Sequence, residues 1–157
     1  MINLLEEKLK KNIFGTTVIV GIGNRLKGDD GVGSIVAERL IESTKLNIID
    51  AGVSLENYAG PIVKIKPDTV ILIDAVDLEK KPGTVEIIQT NDFSIMHFST
   101  HGLSLKFFIN YLENQGINNV IIIGIQPETF DLGSNVSKAV ETSAKEIENI
   151  IKMLINF

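Results

Sequence analysis

The sequence has 157 residues, of which 44% are hydrophobic, and its 15 Lys and Arg against 20 Asp and Glu give a formal net charge of −5. It contains no Cys, which excludes disulfides, thiolate zinc sites, iron–sulfur clusters and a cysteine nucleophile. The acidic balance argues against a nucleic-acid partner, because affinity for nucleic acid comes mostly from clustered Lys and Arg.

The length predicts a single domain over residues 1–157. Apolar stretches such as 120–125 fall far short of the roughly 20 residues that a membrane helix needs, so no membrane partner is expected. The first twelve residues combine acidic side chains with a helical period, unlike the basic and then apolar pattern of a signal peptide. We therefore expect a cytoplasmic protein, with a monomer as the default state.

Strand and helix patterns alternate along the first half of the chain. Residues 2–11 have apolar side chains at helical spacing, and residues 17–22 are a β-branched run typical of a buried strand. Apolar positions three and four apart predict a helix over 35–41. A strand at 46–51, a helix within 54–64 despite Pro61, and a strand at 69–75 follow.

The second half continues this alternation. After the turn at Pro82 and Gly83, the short β-branched segment 84–89 is predicted to be an edge strand. A helix at 103–112, a strand at 120–125 and a long helix at 136–155 complete the pattern. Together these elements predict a three-layer α/β/α sandwich around a mostly parallel, twisted sheet of about five strands, a phosphorylase- or hydrolase-like α/β fold.

Several polar residues follow the ends of the predicted strands, where open α/β sheets bind their ligands. Asp29 and Asp30 lie in the glycine-rich loop after the first strand. Asp29 has an ordinary interpretation as a residue that caps the next helix or complements its dipole. For Asp30 this interpretation is weaker, because the surrounding glycines indicate a backbone shaped to bring another group close.

Asp74 ends the strongly apolar strand 69–75, where a carboxylate without a partner would be costly. Three interpretations of Asp74 remain open: a salt bridge, hydrogen bonds from backbone N–H groups, or a functional role. Asp77, three residues later, is interpreted as a loop-capping residue.

The sequence has two histidines, His97 and His101. We interpret His97 as structural or solvent-facing, whereas His101 immediately precedes a helix at the functional edge of the sheet, where it could meet Asp30 and Asp74. Two carboxylates and one imidazole from three loops would form a facial set of metal ligands with positions left open. Such a mixture suits Ni, Zn or Co better than Mg or Ca.

Five motifs occur in chain order: Gly-x-Gly-Asn-x4-Asp-Asp-Gly-x-Gly at 21–33, Glu56-Asn57, Asp74-Ala-x-Asp77-x4-Pro-Gly at 74–83, Thr100-His101, and Gly124-Ile-Gln126-Pro127. With these motifs the chain resembles the [NiFe] hydrogenase maturation proteases. The resemblance is strongest to the type that serves the formate-hydrogenlyase class, the hydrogenase 3 type. It extends from about residue 17 to the final helix.

The resemblance implies an aspartic-type endopeptidase that removes a C-terminal extension from the large-subunit precursor of a [NiFe] hydrogenase after nickel insertion. It implies that the metal is nickel delivered by the precursor, with Zn, Cd or Ca able to occupy the same ligands. The implied metal ligands are Asp30, Asp74 and His101, of which Asp30 and Asp74 are also the implied catalytic residues. The implied substrate-binding residues are Gly23, Asn24, Asp77 and Thr100.

Two other classes of function remain open from the residues alone. A flavodoxin-like metal-binding signalling module would also carry acids after its first and third strands, although Gln126 and Pro127 stand where a receiver domain would have a Lys. A small-molecule hydrolase or phosphorylase would need basic phosphate-binding residues at the rim, where only Arg25 and Lys27 are available.

Overall fold

The computed structural model describes residues 2–89 and 101–155. The predictions for His97 and Thr100 fall outside these ranges. Among the helices of the described residues, none combines the length and the apolar character needed to cross a membrane.

Among the described residues, five strands form one sheet: β1 (Thr17–Ile22), β2 (Asn47–Gly52), β3 (Thr69–Ala75), β4 (Val85–Gln89) and β5 (Val120–Ile125). Their order in the sheet is β2-β1-β3-β5-β4. All neighbouring strands pair in parallel except β4, which runs antiparallel to β5 at one edge. The predicted mostly parallel sheet and its edge strand are confirmed.

In the part of the chain that the structure describes, five helices cover the sheet: α1 (Ile2–Asn12), α2 (Val32–Ser43), α3 (Ala59–Ile65), α4 (Gly102–Asn114) and α5 (Lys138–Ile155). Short 3₁₀ turns at Gly28–Gly31 and Leu55–Tyr58 lead into α2 and α3. Pro61 is tolerated because it lies in the first turn of α3, where a backbone N–H has no partner within the helix.

Side chains of the central strand β3 alternate between the two faces of the sheet, as the two-residue period of a strand requires. Val70 and Leu72 pack in the core beneath α3 and α4. Ile71 and Ile73 pack in the opposite core, beneath α1, α2 and α5. The predicted three-layer sandwich is therefore confirmed, and β3 is buried along its whole length.

The first turn of α2 lies directly against the sheet, and Gly33 makes this contact possible. A Cβ atom at Gly33 would lie 2.1 Å from the carbonyl oxygen of Ile73 and 2.3 Å from that of Ile22. These neighbours are backbone atoms of β3 and β1, which cannot move aside as a flexible side chain could. Because Gly33 has no side chain, the 3₁₀ turn at Gly28–Gly31 can lie close to the carboxyl end of β3.

Candidate functional site

Asp30, Asp74 and His101 lie together at the carboxyl edge of the sheet. Asp74 belongs to β3, Asp30 to the 3₁₀ turn after β1, and His101 immediately precedes α4. The imidazole Nδ1 is 3.5 Å from Oδ1 of Asp74, and its Nε2 is 4.0 Å from Oδ2 of Asp30. The structure thus brings together the three side chains that the sequence placed at this edge, while their roles stay predictions.

The two carboxylates are buried and the imidazole is nearly so. Asp74 and Asp30 are 0% and 1% exposed, and the side chain of His101 is 16% exposed. The hydrogen bond to Asp74 raises the pKa of His101, and the charges of Asp74 and Asp30 add to this, while burial and Lys27 oppose it. The environment therefore favours an imidazolium ion between two acids.

The donor set suits a borderline divalent ion, because it combines two carboxylate groups with one imidazole. Two donor atoms on one such ion lie about 3 to 3.5 Å apart, close to the separations found here. Among residues 2–89 and 101–155, however, no three His, Asp or Glu side chains are arranged as a ready metal site. Because different nitrogens of His101 face the two acids, an ion shared by all three residues would require the ring to turn.

Gly23 and Asn24 shape the loop that presents Asp30. Gly23 has a φ of 152°, and a Cβ atom there would lie 2.0 Å from the carbonyl oxygen of Asp30. The backbone N–H of Asn24 donates to Oδ2 of Asp30 at 3.2 Å, and its side-chain oxygen accepts from the N–H of Leu26 at 3.0 Å. These contacts orient Asp30, while the substrate-binding role of both residues stays a prediction.

Asp29 has the structural role expected of it, but the predicted capping of the neighbouring helix is wrong. Neither the 3₁₀ turn nor α2 has a side-chain cap. The Asp29 carboxylate instead accepts hydrogen bonds from the N–H groups of Glu128, Thr129 and Ser137 and from the Ser137 hydroxyl, at 2.7 to 3.3 Å. Its donors lie about one hundred residues away, so no local pattern could reveal them.

Asp77 and Gln126 join the loops that follow β3 and β5. Oδ1 of Asp77 accepts from the N–H of Glu79 at 3.0 Å and from the side-chain amide of Gln126 at 3.1 Å. The Gln126 side-chain oxygen accepts from the N–H groups of Leu78 and Lys80. The loop-capping interpretation of Asp77 is confirmed, and its contact with substrate stays a prediction.

A polar network that sequence reasoning missed links the site loop to α2 and β2. Arg25 donates to the Ser34 hydroxyl at 2.8 Å and to Oδ2 of Asp50 at 3.1 Å, and it forms an ion pair with Glu38. The Ser34 hydroxyl donates to Oδ1 of Asp50 at 2.6 Å. Arg25 is thus held by carboxylates of its own chain, which removes much of its capacity to bind a substrate phosphate.

Known proteins resemble this chain over nearly its whole length. The model of the HycI family, hydrogenase maturation protease, matches residues 32–156. A putative hydrogenase maturation protease of Methanocaldococcus jannaschii is 33% identical over 99% of this chain and 96% of its own length. The hydrogenase 3 maturation protease of Escherichia coli is also 33% identical, over 85% of this chain and 89% of its own.

A solved structure agrees with the fold as well as with the sequence. The crystal structure of the [NiFe] hydrogenase maturation protease HycI from Thermococcus kodakarensis matches with a TM-score of 0.87 and 32% identity. The match covers 96% of this chain and 99% of that one. The chain therefore belongs to the hydrogenase maturation protease family, whose members are peptidases.

Proposed function

We propose that this protein is an endopeptidase that removes the C-terminal extension from the large-subunit precursor of a [NiFe] hydrogenase after nickel has been inserted. The observation that carries the proposal is the meeting of Asp30, Asp74 and His101 at the carboxyl edge of the sheet in a chain of this family. The proposal places the reaction in the cytoplasm and assigns it to a monomer.

Peptide hydrolysis requires a base for the attacking water and an acid for the leaving amine. In the proposed reaction, one of the two Asp carboxylates takes a proton as the water oxygen bonds to the scissile carbonyl carbon. The carboxylic acid formed in this step then gives that proton to the leaving nitrogen as the C–N bond breaks. Asp30 and Asp74 would thereby make the enzyme an aspartic-type peptidase.

Nickel enters this proposal as part of the substrate. The precursor carries the ion, and Asp30, Asp74 and His101 would supply further ligands to it, a donor set that nickel accepts. Because the ligands are shared between two proteins, only a precursor that contains nickel would dock with its scissile bond in place. Recognition would then check that nickel insertion is complete, and Zn, Cd or Ca could occupy the same ligands in the absence of substrate.

The test compares nickel-loaded and nickel-free precursor by intact mass after incubation with the purified enzyme. We expect cleavage of the loaded precursor alone, and equal cleavage of both would contradict the nickel check. Asp74→Asn keeps the shape of the side chain but removes its charge, so we expect it to lower the cleavage rate at least 100-fold. The matched control is Asp131→Asn, at an exposed position, for which we expect the wild-type rate.

A further inference from the structure

A groove of about 710 Å³ lies between α4 and the segment that runs from the end of β2 into α3. Both walls of the groove lie on the side of the sheet that α3 and α4 cover. Its principal lining residues are Val53, Glu56, Gly60, Ser104, Phe107 and Tyr111.

The groove lies beside α4, the helix that His101 directly precedes. His101 precedes the helix, and positions 104, 108 and 111 follow it at intervals of three, four and three residues, which places all four on one side of a helix. Ser104, Phe108 and Tyr111 line the groove. Ten helical residues span about 15 Å, the length of four or five residues of an extended peptide.

The walls of the groove carry several large apolar side chains that are exposed. Phe107 is 67% exposed, Val53 59% and Tyr111 43%, while Phe108 is buried at 5% and forms part of the floor. Aromatic side chains contribute large contact area when they become buried, and exposed groups of them mark places where another molecule binds.

Glu56 gives this apolar groove a negative charge. Within residues 2–89 and 101–155, no Lys, Arg or His forms an ion pair with the Glu56 carboxylate. A carboxylate that lines the same groove as Phe107 and Tyr111 suits a cationic side chain, which can pair with the acid and lie against an aromatic ring. The groove thus offers contacts for apolar side chains and for one Lys or Arg.

We propose that this groove binds an extended segment of the hydrogenase precursor next to the scissile bond. An apolar side chain of the segment packs against Phe107 and Tyr111, and a neighbouring Lys or Arg pairs with Glu56. The proposal rests on the proposed function, and the position of the groove on the same side of α4 as His101 selects this occupant, because a peptide bound along that side would extend toward the candidate site.

The first experiment measures cleavage of the precursor by Phe107→Ala and Tyr111→Ala. Phe107 is largely exposed, so its removal leaves the core intact, and a thermal melt checks that both variants fold. We expect KM to rise about tenfold for Phe107→Ala, the loss typical of an anchoring aromatic residue, with kcat within about twofold of wild type. Met153→Ala, on the other face of the sheet at 45% exposure, is the matched control and keeps the wild-type KM.

The second experiment reverses the charge at Glu56. We expect Glu56→Lys to weaken precursor binding, measured by fluorescence anisotropy with labelled precursor, about tenfold. The proposal expects binding by Glu56→Lys to recover when a Lys or Arg of the precursor near the scissile bond is replaced by Glu. Wild-type affinity in both Phe107→Ala and Glu56→Lys would overturn the groove proposal.

Binding and cleavage together distinguish failure of the groove from failure of the proposed function. A wild-type protein that binds the precursor but never cleaves it would overturn the proposed function, while the groove variants still report on docking. Normal cleavage of the nickel-loaded precursor by all groove variants would overturn the groove proposal and leave the function standing.

Discussion

His101 lies between two buried acids, and its protonation connects the site to the stability of the fold. The pKa of His101 is raised above its ordinary value of about 6.5. A group with a raised pKa in the folded state contributes stability that is fully present below its unfolded pKa and is lost as the pH rises through the folded value. The stabilisation by His101 is therefore greatest below about pH 6.5.

We predict that His101→Asn lowers the free energy of unfolding more at pH 6 than at pH 9. The difference shrinks as the pH rises from about 6.5 through the raised pKa of the folded protein, because the unfolded chain loses its proton first and the folded imidazolium loses its proton only at the higher pH. Urea denaturation of both proteins over this range measures the effect. A difference between the two proteins that is constant or grows with pH would contradict the prediction.

At the scale of the elements, the packing of α2 on the sheet depends on its second residue, Gly33. Another helix, α3, also has Gly as its second residue, but at Gly60 an added Cβ would meet no atom within 4 Å. Both positions lie in a first helical turn, so the effect of helix propensity on stability is similar at Gly33 and Gly60. A difference in stability between substitutions at the two positions therefore reports on close packing against the sheet.

We predict that Gly33→Ala lowers the free energy of unfolding by about 3 kcal/mol, because the methyl group would force α2 away from β1 and β3. The matched Gly60→Ala is expected to leave the stability unchanged or to raise it by up to about 1 kcal/mol, because Ala restricts the unfolded chain. Urea denaturation measures both. Similar destabilisation by the two substitutions would show that packing against the sheet is not the cause.

At the scale of the whole molecule, Asp29 joins the loop after β1 to the segment before α5. Its carboxylate satisfies three backbone N–H groups and one hydroxyl, and it is 0% exposed. The contact also fixes the neighbouring residue Asp30 relative to the rest of the sheet edge.

We predict that Asp29→Ala lowers the free energy of unfolding by about 3 kcal/mol, because it leaves buried donors without acceptors. Ser137→Ala removes one donor of the four and is expected to cost about 1 kcal/mol. Denaturant unfolding tests this order, with Asp131→Asn as the control. An Asp29→Ala variant less affected than Ser137→Ala would refute the role assigned to the carboxylate.

Much of the fold was predictable because the sheet is buried on both faces. Continuous apolar runs at 17–22, 69–75 and 120–125 identify β1, β3 and β5 without knowledge of their partners. The rule that parallel strands end at a common edge also places Asp30, Asp74 and His101 near one another. The pairing of distant segments was not predictable in this way.

The contacts that sequence reasoning missed involve residues whose partners are set by tertiary structure. Arg25, Ser34 and Asp50 come from a loop, a helix and a strand, and the spacing between them has no period that indicates contact. The same is true of the orientation of the His101 ring, which depends on two acids from other elements. The hydrophobic period of a segment indicates which face of its helix or strand a residue occupies. It does not indicate which residue of another element lies against that face.

Because His101 directly precedes α4, the imidazole and the aromatic groove are held at a constant separation by a helix that cannot stretch. An insertion of one residue into the first turn of α4 would rotate the groove by about 100° relative to the imidazole. With α4 unaltered, a precursor bound in the groove as proposed would always have the same number of residues between its anchored side chain and the scissile bond. The cleavage position would thus be set by its distance from the anchored side chain, largely regardless of which residues follow the scissile bond.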